Sequence, residues 1–161
     1  MKNRNKIDYA GRTVDLLLLK TVLEVPVVNK RVWLDVSDSP MIVAGVEKLV
    51  QRYAISFINA LGSTKFRDSH GTNLVPDAGA GLIYDMATLE ADAAEANLLA
   101  YNQVTQGDVG EDTPDDERLV SSEVIGLEYL RGESRIKISV KLTTAAGSSY
   151  IYIIPVGVGV H

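Results

Sequence analysis

The chain has no cysteine. Disulfides, thiolate metal sites and thiol nucleophiles are excluded together, and folding in a reducing host cytoplasm fits that choice. Cations are scarce as well: 16 Lys and Arg stand against 21 Asp and Glu, for a formal net charge of -5. A chain that grips nucleic acid gathers Lys and Arg on one face to neutralise phosphates. Here the basic residues cluster only at Lys2, Arg4 and Lys6, which reads as a solvated end or as an arm for an acidic partner. No apolar run approaches the roughly 20 residues a bilayer-spanning helix needs. The first such run, Val14 to Leu19, comes late and contains Asp15, which is not the plan of a secretory signal. The expectation is a chain without nucleic acid or membrane as a partner.

Catalytic signatures are also thin. Two histidines are present, His70 and His161, with no HExxH helix and no Gly-x-Ser-x-Gly elbow. The acidic stretch Asp108, Glu111, Asp112, Asp115 and Asp116 lacks the alternate spacing, central glycine and late glutamate of a calcium loop. Gly79-Ala-Gly81 and Gly157-Val-Gly159 have no strand–loop–helix frame for phosphate. Phage-type lysozymes place an acid or cysteine nine positions after a catalytic glutamate. Nine positions after Glu24, Glu47, Glu90 and Glu95 stand Trp33, Ser56, Leu99 and Val104, and none of the later glutamates has an acid there either. Two carboxylates can still meet across a fold, so a hydrolase remains a rival reading. The expectation is a non-enzyme with no cofactor and no metal.

What is present is a folding pattern of 161 residues, 46% of them hydrophobic, enough for one domain with a core. Thr13 to Leu23 is compatible with a buried helix or a strand. Val32-Trp-Leu-Asp-Val alternates and reads as a strand. Asp38 or Ser39 can cap a helix with Pro40 in its first turn. Its apolar residues recur at Ile42, Val46, Leu49, Val50, Tyr53, Ile55, Phe57, Ile58 and Leu61, and Gly62 closes it. Residues 62–81 read as a long loop held by partners or carrying function. A second helix spans about Leu82 to Val104. Its stripe Leu82, Met86, Leu89, Ala93, Ala96, Ala100 follows the heptad seam, for internal packing or for an intermolecular bundle. Three β-runs, 120–130, 135–142 and 149–155, form a meander with tight turns. The fold class is therefore α+β: two main helices on a C-terminal antiparallel β-meander, with residues 1–37 as an N-terminal extension and 38–161 as the domain. The last run, Tyr150 to Pro155, reads as an internal strand or as an exposed edge to which another chain can add.

The stretch Phe57-Ile-Asn-Ala-Leu-Gly, then Ser63-Thr-Lys-Phe-Arg-Asp-Ser-His-Gly-Thr-Asn-Leu, resembles the lysozyme-like baseplate wedge, or sheath-initiator, family of contractile phage tails. Gly71, Thr72 and Leu74 match the end of the family's pattern, Phe66 stands near its aromatic position, and His70 stands where the family has phenylalanine. The family's Glu-Pro-Arg motif has its counterpart in Asp116-Glu117-Arg118, which lacks the proline; Arg118 carries over directly and Asp116 as a chemical stand-in. The likeness runs over about residues 38–156. It implies a structural subunit of the virion tail baseplate, a hetero-oligomer in a six-fold assembly. Other wedge proteins and the tail sheath protein would be its partners, with the tail tube as a further neighbour. By that likeness Phe66, Gly71, Thr72, Leu74, Asp116 and Arg118 would fix the wedge junction. Met86, Leu89, Ala93 and Ala96 would meet a helical bundle, and Tyr150, Ile151, Tyr152 and Ile153 would offer a strand to the first sheath ring. A ring-forming tail-completion adaptor is the other structural alternative.

Overall fold

A computed structural model describes residues 15–16, 19–23, 31–36, 42–63, 65, 68–130 and 134–158. The fold is α+β. Strand β1 (Asp15–Leu16) pairs antiparallel with β4 (Ile42–Val43). Strands β2 (Leu19–Leu23) and β3 (Arg31–Val36) form an antiparallel pair. Three helices follow, α1 (Val46–Ile58), α2 (Leu74–Gly79) and α3 (Met86–Gly107). The chain ends in the expected meander, β5 (Leu119–Leu130), β6 (Arg135–Thr144) and β7 (Ser149–Gly157).

The large sheet runs in the order β2-β3-β7-β6-β5. Strand β3 lies parallel to β7, with Arg31 opposite Ile151 and Trp33 opposite Ile153. Strands β2 and β3, from the N-terminal extension, continue the sheet of the meander. Of the two readings of β7, the internal one fits: β6 lies on one side, and β3 pairs with Ile151–Ile153 on the other. The outer strands are β2 and β5.

The core lies between the sheet and the helices. Strand β6 shows why the sequence folds this way. Its alternating Ile136, Ile138, Val140 and Leu142 are buried, and each contributes about 1.5 to 3 kcal/mol by leaving water. They meet Leu49, Val50, Tyr53 and Phe57 of α1 and Leu89, Ala96, Ala100 and Val104 of α3 in one apolar cluster. Tyr152, Ile154 and Val156 of β7 complete it. Strand β5 breaks simple alternation. A register shift between Val124 and Gly126 inserts Ile125 as an extra residue, so Val124 and Leu127 both pack against the core while Ile125 stays exposed.

Helix α1 starts later than Pro40. Ile42 and Val43 are taken by β4, and Gly45 is the N-cap, at φ 69°. Asp38, Ser39 and Pro40 lie outside the described residues. The helix also stops at Ile58, before Gly62, because the Asn59 backbone turns extended. Helix α3 starts at Met86, not Leu82, since Asp85 caps it by accepting the Thr88 N–H at 2.7 Å. Residues 62–81, expected as loop, contain α2.

The return from α1 is pinned at Gly71. The Thr72 N–H donates to the Asn59 carbonyl at 2.7 Å, and the Leu61 N–H donates to the Thr72 carbonyl at 3.0 Å. Gly71 sits at φ +104°, and a Cβ there would lie 2.5 Å from the Ala60 oxygen and 2.6 Å from that of Asn59. No side chain fits, and the backbone angle is one L-residues rarely adopt. Gly71→Ala is expected to cost about 3 kcal/mol or more, read as a lowered urea midpoint. An unchanged midpoint would mean the α1–α2 return is not held as described.

Candidate functional site

The acidic triplet Asp116-Glu117-Arg118 lies in the turn before β5, and the structure selects a residue the sequence reading passed over. Glu117 is 1% exposed. The Gly45 N–H donates to its Oε1 at 2.7 Å, and Lys48 Nζ approaches Oε2 at 3.1 Å. A carboxylate thus sits at the N-terminus of α1, where unpaired amides and the helix dipole favour a negative charge. The turn itself is tied to the β6–β7 turn by backbone bonds: Ala145 N–H to the Arg118 carbonyl and Ala146 N–H to the Asp115 carbonyl, both 3.0 Å. Asp116 is half-buried. Arg118 is exposed and pairs with Asp115, three residues earlier.

Gly71 and Thr72 are held from α3. The Gly71 N–H donates to Gln103 Oε1 at 3.1 Å, and Gln103 Nε2 donates to the Gly71 carbonyl at 3.0 Å. Thr72 Oγ1 donates to the Phe57 carbonyl at 2.7 Å. A third tie joins α1, α3 and β5: Tyr53 Oη donates to Asn97 Oδ1 at 2.6 Å, and Asn97 Nδ2 donates to the Ser122 carbonyl at 3.3 Å. Burial pushes the Tyr53 phenol up from its ordinary value, so it stays a neutral donor. At the far end of α3, Arg52 bonds Asp108 Oδ1 at 2.7 Å and the Val104 carbonyl at 3.2 Å. Asp108, a residue of the calcium reading, is thereby engaged by a guanidinium. Among the described residues no group of three or more His, Asp or Glu is placed to hold a metal ion.

The expected contact residues do not gather into one surface. Gly71, Thr72, Leu74, Leu89, Ala93 and Ala96 are buried. The stripe on α3 is therefore satisfied inside this chain from Leu89 onward, while Leu82 and Met86 are exposed. In β7, Tyr152 and Ile153 are buried and Tyr150 and Ile151 half-buried. Burial, then Tyr150 and Glu47, raise the Tyr152 phenol. Phe66 lies outside the described residues. Arg118 stands by the C-terminal half of α3, where Tyr101 Oη reaches the Val120 carbonyl at 3.2 Å. Met86 begins that 22-residue helix, about 22 Å from Tyr101 along its axis.

One open groove does form, at the head of α3. Ile83, Tyr84, Asp85, Met86, Leu89 and Tyr129 line a cavity of about 610 Å³. Tyr84 is 83% exposed, Met86 46% and Tyr129 40%. The Thr88 amide holds the Asp85 carboxyl below its usual range, so the lip is anionic. Against family models, curated proteins and solved structures, the chain matches none. Among the described residues no helix is long and apolar enough to cross a membrane.

Three substitutions test these electrostatics. Glu117→Gln should lower stability by about 2 to 3 kcal/mol in urea unfolding, since it removes the charge that faces the Lys48 ammonium. Lys48→Met in that background should recover part of the loss. No change would remove Glu117 as the tie. At Asp92, desolvation and the nearby Asp77 and Glu95 raise the carboxyl. A raised folded value means that charging this group opposes folding, so its contribution to stability is lost as pH rises through the folded value. Asp92→Asn should therefore raise the melting temperature at pH 7. The advantage should shrink as pH falls into the carboxylate range; a lower melting temperature at pH 7 would contradict the repulsion.

Proposed function

We propose that the chain is a non-catalytic structural subunit of a contractile tail baseplate, joining wedge proteins and templating the first sheath ring by strand addition. Residue chemistry and sheet topology support this reading. The buried polar side chains Glu117, Gln103 and Thr72 are held by backbone groups of the chain itself, and Glu117 by Lys48 besides. Their work is architectural. The resemblance at Gly71, Thr72 and Leu74 falls on the segment that fixes the α1 return, and the acidic motif falls on the turn that anchors α1.

The observation that carries the strand role is the sheet order. An added strand needs unpaired backbone amides and carbonyls on an outer strand. Strand β7 is paired with β6 along its length and with β3 at Ile151–Ile153, so its middle has none to offer. The outer side of β5 is partly covered, since Tyr101 and Asn97 occupy the Val120 and Ser122 carbonyls. Strand β2 pairs only with β3 among the described residues. The sheath contact is accordingly assigned to the rim at Leu19–Leu23.

Successive residues of β2 direct their N–H groups alternately toward β3 and away from it. One of the two single variants Thr21→Pro and Val22→Pro removes an outward N–H only. That variant should fold normally and enter wedges, yet fail to nucleate sheath. Normal sheath growth on both variants would contradict the assignment.

A further inference from the structure

We propose that Pro155 keeps the outer pair β2–β3 separable from the rest of the sheet, so that this rim opens from β7 as a unit. Which backbone groups of β7 face which neighbour is set by its ladder with β6. That ladder runs in unbroken register from Arg135↔Gly157 to Thr143↔Ser149. Just beyond its ends, the Val158 N–H donates to the Ser134 carbonyl at 2.8 Å and the Thr144 N–H to the Ser148 carbonyl at 3.0 Å. Bonded pairs alternate along an antiparallel ladder. Tyr152, Ile154 and Val156 therefore turn their N–H and C=O groups to β6. Ile151, Ile153, Pro155 and Gly157 turn theirs the other way, toward β3.

Strand β3 uses the first two. Its parallel register is Arg31↔Ile151, Val32↔Tyr152 and Trp33↔Ile153. In such a ladder Val32 bonds both Ile151 and Ile153, and Leu34 would bond the Ile153 carbonyl and the N–H of residue 155. That residue is Pro155, which has no N–H. Pairing stops at Trp33↔Ile153, although β3 itself continues to Val36. A proline at 152, 154 or 156 would have broken the ladder with β6; at 155 it breaks only the one with β3.

The two ladders that hold β3 are unequal. Strands β2 and β3 are joined at five antiparallel positions, Leu19↔Val36 to Leu23↔Val32. Strands β3 and β7 are joined at three parallel ones, and parallel pairs are the weaker per residue. The pair accordingly parts from β7 before it parts within itself, as a local opening short of global unfolding. It stays tethered on its N-terminal side, because Leu16, three residues before β2, has its carbonyl held by Gln51 Nε2 at 2.7 Å. An opened rim frees the Ile151 and Ile153 amides and carbonyls, which then form a second edge for an incoming strand. Only the use of the rim by sheath rests on the baseplate reading, and the test below involves no tail component.

Amide hydrogen exchange, followed by NMR on the full-length chain, compares two neighbours: Ile153, which faces β3, and Ile154, which faces β6. Ile153 is expected to exchange at least about tenfold faster than Ile154, at a rate shared with Val32 and Leu34. Pro155→Val supplies the missing N–H and should slow Ile153, Val32 and Leu34 about fivefold or more relative to Ile154. Pro155 is exposed, so the change leaves the core alone. Pro155→Ala should act the same way, because the N–H and not the side chain is what counts. Equal protection of Ile153 and Ile154 in the native chain, or an Ile153 rate that neither variant changes relative to Ile154, would overturn the proposal.

Discussion

The carboxylate of Glu117 is the point at which helix layer and sheet meet. It is almost wholly out of water, a position that is costly for a charge unless an opposite charge and hydrogen bonds surround it. Lys48 supplies the charge and Gly45 the amide. Because Gly45 is the N-cap of α1 and Glu117 stands two residues before β5, one side chain sets where the first helix begins relative to the first strand of the meander. The other polar ties follow from that placement. Tyr53, one side of α1 along, then stands against Asn97 of α3, and Arg52 stands against the C-terminal turn of α3.

These ties give the motif residues a physical meaning. Gly71 has no room for a side chain and a backbone angle that suits glycine. Thr72 spends its hydroxyl on the Phe57 carbonyl, where α1 ends. Leu74 opens α2 inside the core. A sequence pattern read as a junction with partners also describes how the chain turns back on itself. In the acidic triplet the division is equally clear. The middle residue is internal, while Arg118 remains at the surface, within reach of a neighbour.

Much of the fold was legible because its signals are local. The period-two run of β6 and the three-and-four spacing of α3 each report a face buried by residues close in sequence. What was missed depended on distant residues. Whether β7 is internal or an edge stayed open, because it is decided by β3, more than a hundred positions earlier, and a parallel pairing of that span leaves no mark on either strand's own pattern. The start of α1 was misplaced because Ile42 and Val43 are apolar enough to continue the helical series, yet they pair with Asp15 and Leu16. Glu117 was passed over for a similar reason. Flanked by Asp115, Asp116 and Arg118, it looks like one charge in a solvated run, and only Lys48, far away in sequence, distinguishes it. The groove at Tyr84 and Tyr129 joins a loop to the end of a strand and had no local signature at all.

The most direct measurement of the functional account is a structure of assembled contractile-tail particles in which this chain is located. The account predicts the chain in the baseplate, with a sheath segment hydrogen-bonded along Leu19–Leu23 and Glu117 still inside the protomer. Particles from which the chain is absent, or in which that rim faces solvent while sheath is attached elsewhere, would contradict it.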